Sequence, residues 1–385
     1  LMASLKLPWV RFWEMLWRAI PNPLTDGRLL VALDDSINAK SGRKVFACQR
    51  SFDHAAKVNQ SPYPWAQTLV TVGLLKVIHG RWSCLPLAFA FYLRYQTLHG
   101  RCIRVGGQAL VFQTKFAQAV RMIAAVAKVF AQAPVLVVAD SWFGNAGLLK
   151  PLRAELGARA HLLSRLRVNA VLYEQPTATP GAPGRPRKYG ARLGNTAQLA
   201  AAVRVDARTY TITLYGKMRE VIAAERLVML KTLRCQVRVV WVFRKTQWVA
   251  LVTTDPTLSV AQIVEYYGAR WKIEAGFREI KQEIGSAETQ TRNPDAVTNH
   301  LNFCMAATAI TWIYGAHLHQ APPRRYARQS VPSTPSPICD APSPRTSAAR
   351  VLVSIARFPA TPLEICVFHP YSAPHSTGIR PLIPR

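Results

Sequence analysis

The sequence has few acidic residues, no paired cysteines and no long apolar run. Among its 385 residues, 49 are Lys or Arg and only 20 are Asp or Glu. The seven cysteines are scattered without a Cys-x-x-Cys pair, so neither a zinc site nor a disulfide framework is predicted. No apolar run approaches about 18 residues without a charge, and Arg11 and Glu14 interrupt the start, which argues against a membrane span and a signal peptide. A protein of the reducing cytoplasm is therefore expected.

The excess of positive charge points to a polyanionic partner. The formal net charge is +29 at pH 7, and such a chain gains affinity for nucleic acid by releasing counterions from the phosphate backbone. Half of the residues are hydrophobic, so a large core is possible, and the length predicts two domains or one domain with an insertion. Nucleic acid is therefore the expected partner.

Residues 265–281 carry the most informative pattern in the chain. They are predicted to lie in one helix, with Ser259 as the N-cap and Gly285 as the stop. Within this helix a phenol, a guanidinium, a carboxylate and an ammonium share one stripe, within an arc of roughly 60°. The four residues are Tyr267, Arg270, Glu274 and Lys281. The alternative is a solvated Arg270–Glu274 pair, which would contribute only about 0.2–0.5 kcal/mol.

Two apolar runs upstream lead into aspartates. Residues 29–33 are predicted to form a buried strand that ends in Asp34-Asp35-Ser36, and strand alternation sends the two carboxylates to opposite faces. The β-branched run 135–138 is typical of a central strand and delivers Asp140 at its carboxyl end, where ligand chemistry gathers. Aspartate also favours turns, so a turn at either position is the competing interpretation.

The spacing Tyr-x2-Arg-x3-Glu-x6-Lys resembles the YREK signature of DDE-type insertion-sequence transposases at all four positions. The resemblance covers roughly residues 29–318. It implies a ribonuclease-H-like catalytic core in which an aspartate closes the first strand, and Asp34 fits that position best, with Asp35 as second choice. The other two catalytic acids that it implies are Asp140 and Glu274.

The same resemblance implies roles for the other residues of the helix predicted over 265–281, which is called the signature helix below. Tyr267, Arg270 and Lys281 would hold the phosphates that flank the scissile bond, with a guanidinium fork at Arg270 and a point charge at Lys281. Lys40 follows the first acidic segment, where a phosphate backbone could lie. The segment 184–188, with Arg185, Arg187 and Lys188, resembles a hook for a narrow minor groove, although a basic disordered loop is an equal alternative.

Three carboxylates brought together repel one another, and a divalent cation removes that cost. Carboxylate oxygens suit Mg²⁺ or Mn²⁺ rather than zinc, and no histidine cluster accompanies them. Two such ions, about 3.5–4 Å apart, can activate the attacking oxygen and stabilise the leaving oxygen of a phosphodiester. We therefore expect Asp34, Asp140 and Glu274 to hold two Mg²⁺ or Mn²⁺ ions, in a site that first uses water and then a 3′-hydroxyl as nucleophile.

The predicted fold class is α/β, a ribonuclease-H-like mixed sheet flanked by helices, with a mostly β insertion between the second Asp and the catalytic Glu. Residues 1–28 are expected to form a helical segment, 29–164 and 255–320 the two parts of the core, and 165–254 the insertion. Residues 321–385 carry 13 of the 27 prolines and no lysine, which predicts a mostly disordered basic tail. Other helices are predicted over 3–20, over 114–131 with Thr114 as N-cap, over 145–156 with Asn145 as N-cap, and over 295–318, which Asn293-Pro294 opens. Other strands are predicted over 67–78, 85–95 and 158–164, and within the insertion over 210–215, 221–230, 237–243 and 248–253.

The function that these features predict is DNA-mediated transposition of an insertion sequence. The partners would be double-stranded DNA, as terminal inverted repeats and as target, and a second copy of the chain in a paired-end complex in the bacterial cytoplasm, associated with the nucleoid. A DNA hairpin intermediate is a further expectation from the resemblance. Two alternatives are a truncated remnant that binds DNA without cutting it, and a ribonuclease-H-like nuclease without strand transfer.

Overall fold

A computed structural model of the chain describes residues 2–53, 56, 58–59, 61–177, 187–214, 216–245 and 247–320. Within these ranges the protein is a mixed α/β structure, in which a central sheet is flanked by helices in a ribonuclease-H-like arrangement. The predicted fold class is therefore confirmed. The tail prediction for residues 321–385 lies outside the described residues.

The strands are numbered here in chain order. They are β1 (Leu29–Ala39), β2 (Cys48–Arg50), β3 (Trp65–Ile78), β4 (Arg81–Tyr92), β5 (Arg104–Val105), β6 (Gln108–Ala109), β7 (Val135–Ala139), β8 (Ala160–Arg165), β9 (Val171–Tyr173), β10 (Arg192–Asn195), β11 (Arg208–Leu214), β12 (Lys217–Leu230), β13 (Cys235–Arg244) and β14 (Gln247–Thr253). Only β5 and β6, among the described strands, form a separate ribbon.

The strand order defines the core. β4, β3, β1, β7 and β8 lie side by side; the first two pairings are antiparallel and the last two are parallel. Parallel strands need covered faces, and accordingly the run from Leu29 to Leu33 and all of β7 are completely buried. The apolar runs in the sequence therefore predicted the two central strands correctly.

The helices are α1 (Trp9–Arg18), α2 (Tyr95–Leu98), α3 (Lys115–Val129), α4 (Ala146–Leu156), α5 (Thr196–Val203), α6 (Val260–Ala269), α7 (Trp271–Gln282) and α8 (Pro294–His317). Side-chain caps begin several of them as predicted, since Thr114, Asn145, Ser259 and Asn293 each accept a hydrogen bond from a backbone N–H in the first turn. Within the described residues, no helix combines the length and apolar character that a bilayer crossing requires.

Alternating residues of β1 face two different helical layers. Leu29, Val31 and Leu33 pack in the core that includes side chains of α1, α3, α4 and α8. Leu30 and Ala32 pack in a second core with α6 and α7. The two faces of the central strand therefore have distinct neighbours, and this decides which acidic side chain meets the signature helix.

The β-rich segment that follows β8 does not form a separate sheet. β14 pairs antiparallel with β8, through Leu251–Arg165, Val252–Ser164 and Thr253–Leu163, and the sheet continues through β13, β12, β9 and β10. β11 adds to β12, and α5 packs in the same region. The predicted mostly β insertion is thus a lateral extension of the core sheet.

Two local predictions were wrong. β1 continues to Ala39, because its second half pairs with β3, so Asp34 and Asp35 lie inside the strand rather than at its end. The helix predicted over 265–281 is broken at Arg270, which ends α6 and precedes α7. There the hydrogen bond from the Ile273 amide to the Arg270 carbonyl spans three residues instead of four.

Candidate active site

Asp34 and Asp140 lie together where β1 and β7 part. The last parallel pair of the two strands is Leu33 with Ala139. Asp34 and Asp140 are the next residues on each strand, so the sheet brings two carboxyl groups to one point, and both side chains are partly exposed. This is the carboxyl end of β7, where the apolar pairing stops and polar groups become accessible.

A tight turn holds Asp140. Its Oδ1 accepts hydrogen bonds from the backbone N–H groups of Trp142 and Phe143, each at 3.0 Å, and its carbonyl accepts one from Ser164 Oγ at 2.7 Å. A Cβ added at Gly144 would overlap the Ser164 side chain, so the turn packs directly against β8. The Asp140 carboxylate is therefore fixed by the backbone, with Oδ2 free of hydrogen bonds to the described residues.

The two adjacent aspartates point to opposite faces of the sheet. Asp34 shares its face with Leu30 and Ala32, which pack against α6 and α7. Asp35 instead forms an ion pair with Lys115 on α3, with Nζ and Oδ2 2.7 Å apart. Only Asp34 thus faces the signature helix, whereas Asp35 lies against α3 on the opposite face of the sheet.

Arg270 links Asp34 to Glu274. Its Nη1 lies 3.0 Å from Asp34 Oδ2, and its Nη2 lies 2.9 Å from Glu274 Oε1. The two carboxylate oxygens can therefore be at most about 8 Å apart, the span of one guanidinium and two charge-assisted hydrogen bonds. Arg270 itself is buried, with 5% of its surface exposed.

The charges of the three acids influence one another. The pKa of Asp34 is raised to about 7, chiefly by burial; Arg270 opposes the rise, and the carboxylates of Asp140 and Glu274 add to it. The pKa of Glu274 is also raised by burial, against the effect of Arg270 and with a contribution from Asp140. Asp140 therefore lies close enough to disfavour the charged form of both other acids.

Tyr267 and Lys281 lie on the same face of the signature helix as Arg270 and Glu274, and this face is turned toward the sheet. Tyr267 is buried, and burial raises the pKa of its phenol while the nearby Arg270 guanidinium lowers it. Lys281 is half-buried, and its Nζ donates a hydrogen bond to the carbonyl of Ile37 on β1 at 2.9 Å. The four signature residues thus share one face as predicted, but that face packs on the sheet, and the described structure leaves Tyr267 and Arg270 little surface for DNA.

The remaining predicted DNA contacts lie elsewhere. Lys40 is buried, and its ammonium donates to the carbonyls of Ala287 and Thr289, so the prediction that it lies along a phosphate backbone is wrong. The reason is that β1 continues beyond the acids and carries Lys40 under the loop after α7. Arg187 and Lys188 are exposed, whereas Arg185 lies outside the described residues.

Two aromatic residues beside the acids were not predicted. Trp142 is 42% exposed and stacks on Phe116, with ring centroids 4.8 Å apart and an interplanar angle of 8°. Lys115 Nζ lies 5.2 Å from the Trp142 ring centroid. Periodicity does not reveal this pair, because it joins Trp142 in a turn to Phe116 in α3, 26 residues earlier in the sequence.

The donor set fits a hard divalent cation in type, although its present arrangement is closed by Arg270. Carboxylate oxygens from three separate elements are available, which suits Mg²⁺ or Mn²⁺. Across the described ranges, however, no group of three or more His, Cys, Asp or Glu side chains is disposed to hold a metal ion. The Arg270 guanidinium stands between two of the three acids.

Comparison with known proteins gives one clear relationship. The model of a family described as DDE superfamily endonuclease matches residues 3–220, which include Asp34 and Asp140 but end before Glu274. No curated protein sequence matches the chain. The solved structure of the NurA nuclease from Sulfolobus solfataricus is similar at a TM-score of 0.26 and 7% identity, over 69% of this chain and 80% of that chain. At a TM-score this low the two structures share little of their backbone course, and the fold of this chain is defined by its own strand order.

Proposed function

The chain belongs to the DDE superfamily endonuclease family. From that premise we propose that it cleaves phosphodiester bonds of DNA in an active site formed by Asp34, Asp140 and Glu274. Family membership supports a nuclease activity in general. The observation that carries the assignment of the third acid is the Arg270 bridge, which ties Glu274 of α7 to Asp34 of β1 although the family match ends before α7.

The three acids would hold two Mg²⁺ or Mn²⁺ ions. When bound, such ions supply Lewis acidity to the attacking and leaving oxygens of a phosphodiester. The protein contributes rigid placement of the donors. Asp140 is fixed by two backbone N–H groups and Asp34 by its position inside β1, while Glu274 depends on the contact of α7 with the sheet.

Lys281 supports this arrangement from the far end of α7. Its hydrogen bond to the Ile37 carbonyl joins α7 to the same strand that carries Asp34. A phosphate contact of Lys281 remains part of the proposal, because its side chain is only half-buried. A phosphate contact of Arg270 requires that the guanidinium first leave the two acids.

The finer proposal is a transposase that cuts the ends of an insertion sequence and joins the freed 3′-hydroxyl to target DNA. The Tyr-Arg-Glu-Lys spacing supports it, and so does the net charge of +29, which favours binding of two duplexes at once. Pairing of two element ends makes a homodimer part of the same proposal. A nuclease without strand transfer and a remnant that only binds DNA are the alternatives.

The assignment of the first acid is tested by comparing Asp34→Asn with Asp35→Asn. The two positions are adjacent on one strand, and both side chains form an ion pair, but only Asp34 faces Glu274. We expect Asp34→Asn to lower nicking of supercoiled DNA in Mg²⁺ or Mn²⁺ by at least about 100-fold, since removing a catalytic group costs this much or more. Asp35→Asn should retain most of the activity.

The reverse ranking of these two variants would assign the site to the other face of the sheet. Equal nicking by wild type and Asp34→Asn would remove Asp34 from the site. Strand transfer needs a separate substrate, a duplex copied from the DNA that flanks the reading frame. Joined products support the transposase; cleavage without joining supports the simple nuclease, and binding without cleavage supports the remnant.

A further inference from the structure

Arg270 uses the oxygen atoms that a metal ion would need. Asp34 Oδ1 already accepts the backbone N–H of Asp35 at 2.8 Å, and Asp34 Oδ2 accepts Arg270 Nη1 at 3.0 Å. Glu274 Oε1 accepts the other end of the guanidinium at 2.9 Å. Both oxygens of Asp34 and one of Glu274 are therefore engaged, and the only cation between the two acids, among the described residues, is this side chain.

The position of Arg270 is well defined. Its guanidinium carbon lies 5.7 Å from the ring centroid of Tyr267 and 5.2 Å from that of Trp271. One aromatic ring that precedes Arg270 in sequence and one that follows it therefore contact the cation. It also stands at the junction of α6 and α7, where the helix is broken. Its Nε has no hydrogen-bond partner in the described part of the chain. Displacing the guanidinium would therefore break its ion pairs with Asp34 and Glu274 but no hydrogen bond at Nε.

The charges make the guanidinium and a divalent cation competitors. Two carboxylates held this close together at a partly buried site are stabilised by a positive charge between them, since otherwise they repel. The guanidinium supplies one unit of charge without a metal. A divalent ion that used the same oxygens would lie within a few ångströms of the guanidinium, and two cations so close in a partly buried site repel more strongly than in bulk water.

We propose that Arg270 is a displaceable internal counter-ion, which keeps Asp34 and Glu274 together in the metal-free protein and leaves them when a divalent cation binds. The inference rests on the proposed function, because it takes these acids as the metal ligands. It gives Arg270 a positioning role with a definite sign: the side chain stabilises the metal-free site and weakens metal binding.

The sign of the change in affinity on replacing Arg270 tests this. Arg270→Gln removes the charge but keeps hydrogen-bond donors. In titrations of the full-length protein with Mn²⁺ alone, without DNA, followed by calorimetry and by the Mn²⁺ electron paramagnetic resonance signal, we expect affinity to rise about tenfold or more, the equivalent of one charge-assisted hydrogen bond. The melting temperature of the metal-free variant should fall, and Mn²⁺ should raise it more than in wild type.

Arg28→Gln is the matched control. Arg28 also forms a partly buried ion pair, with Asp255 at 2.9 Å, but it precedes β1 instead of facing the acids. Its loss should lower the melting temperature and leave Mn²⁺ affinity unchanged. If Arg270→Gln does not fold, Arg270→Lys serves instead, because an ammonium lacks the fork that spans both acids; affinity should then rise by a smaller factor.

Unchanged or weaker Mn²⁺ binding by a folded Arg270 variant would overturn the inference, because it would make Arg270 a simple support for the ligands. That result would leave the proposed function intact, provided that Asp34→Asn and Glu274→Gln abolish the same Mn²⁺ binding. If neither wild type nor Arg270→Gln binds Mn²⁺, the metal site itself is wrong and both proposals fail.

Discussion

Gly144 sets how closely the Asp140 turn approaches the neighbouring strand. A Cβ at this position would lie 2.8 Å from Ser164 Cβ and 3.3 Å from the Asp140 carbonyl oxygen. Ser164 is fully buried and donates to that carbonyl, so it has little freedom to move aside. The absence of a side chain at Gly144 is thus a condition for the position of Asp140.

We expect Gly144→Ala to destabilise the protein by about 1–3 kcal/mol, the usual cost of overpacking, and to reduce nicking because Asp140 shifts. Thermal or urea unfolding and the nicking assay measure the two effects. Gly276→Ala is the control, since Gly276 lies in α7 with no atom within 4 Å of an added Cβ. That change should be neutral or stabilising by up to about 1 kcal/mol. Equal effects of the two changes would contradict the tight packing of the turn.

The pair Asp34-Asp35 illustrates the limit of inference from single residues. Strand alternation correctly predicted that the two side chains point to opposite faces. Nothing in the local sequence says which face α6 and α7 cover, because that depends on the chain path more than 200 residues later. The contacts of Asp34 with Arg270 and of Asp35 with Lys115 supplied the missing information.

At the scale of elements, local chemistry predicted helix beginnings well and a helix break badly. Capping is a contact between neighbours in sequence, so Thr114, Asn145 and Asn293 could be recognised as caps. No proline lies between Ser259 and Arg270, and Gly268 alone is a weak breaker. The break coincides with the residue whose side chain bonds Asp34, which is a tertiary contact invisible to periodicity.

The ionisation of Lys281, which joins α7 to β1, makes the stability of the protein depend on pH. Burial lowers the pKa of its ammonium from 10.5 to about 8, which the nearby Asp53 offsets only in part. Between these values the unfolded chain binds one more proton than the folded chain, so the free energy of unfolding rises with pH. Below about pH 8 both states carry the charge, and the buried ammonium lowers stability by a constant amount.

We expect the stability difference between wild type and Lys281→Met to shift in favour of wild type as the pH rises from about 8 to 10.5. Urea unfolding at several pH values in this window measures the difference, and the contributions of other lysines cancel because both proteins contain them. Lys150→Met, at an exposed position of α4, should follow the wild-type profile. Parallel profiles for Lys281→Met and wild type would mean that this ammonium is not buried in solution.

At the scale of the whole molecule, one sheet joins the core and the β-rich insertion. The sequence predicted the strands of the insertion, because each has its own β-branched and aromatic residues. It did not predict their pairing with β8, since register depends on contacts between segments about 90 residues apart. The larger hydrophobic core also crosses this junction, with Leu172, Val239 and Trp241 in the same cluster as Leu29 and Val31.

A shared sheet and a shared core predict that the described residues unfold in one cooperative transition. Val137→Ala in β7 and Val239→Ala in β13 test this, because both valines are completely buried in the same cluster but lie in the core and in the insertion respectively. Each change should cost about 1–3 kcal/mol and lower the temperature of the same calorimetric peak. Val205→Ala, at a position that is 86% exposed, should leave that peak in place. Two peaks that move separately would show that the insertion is an independent unit, and Arg165 at the end of β8 would then mark a boundary instead of a continuous sheet.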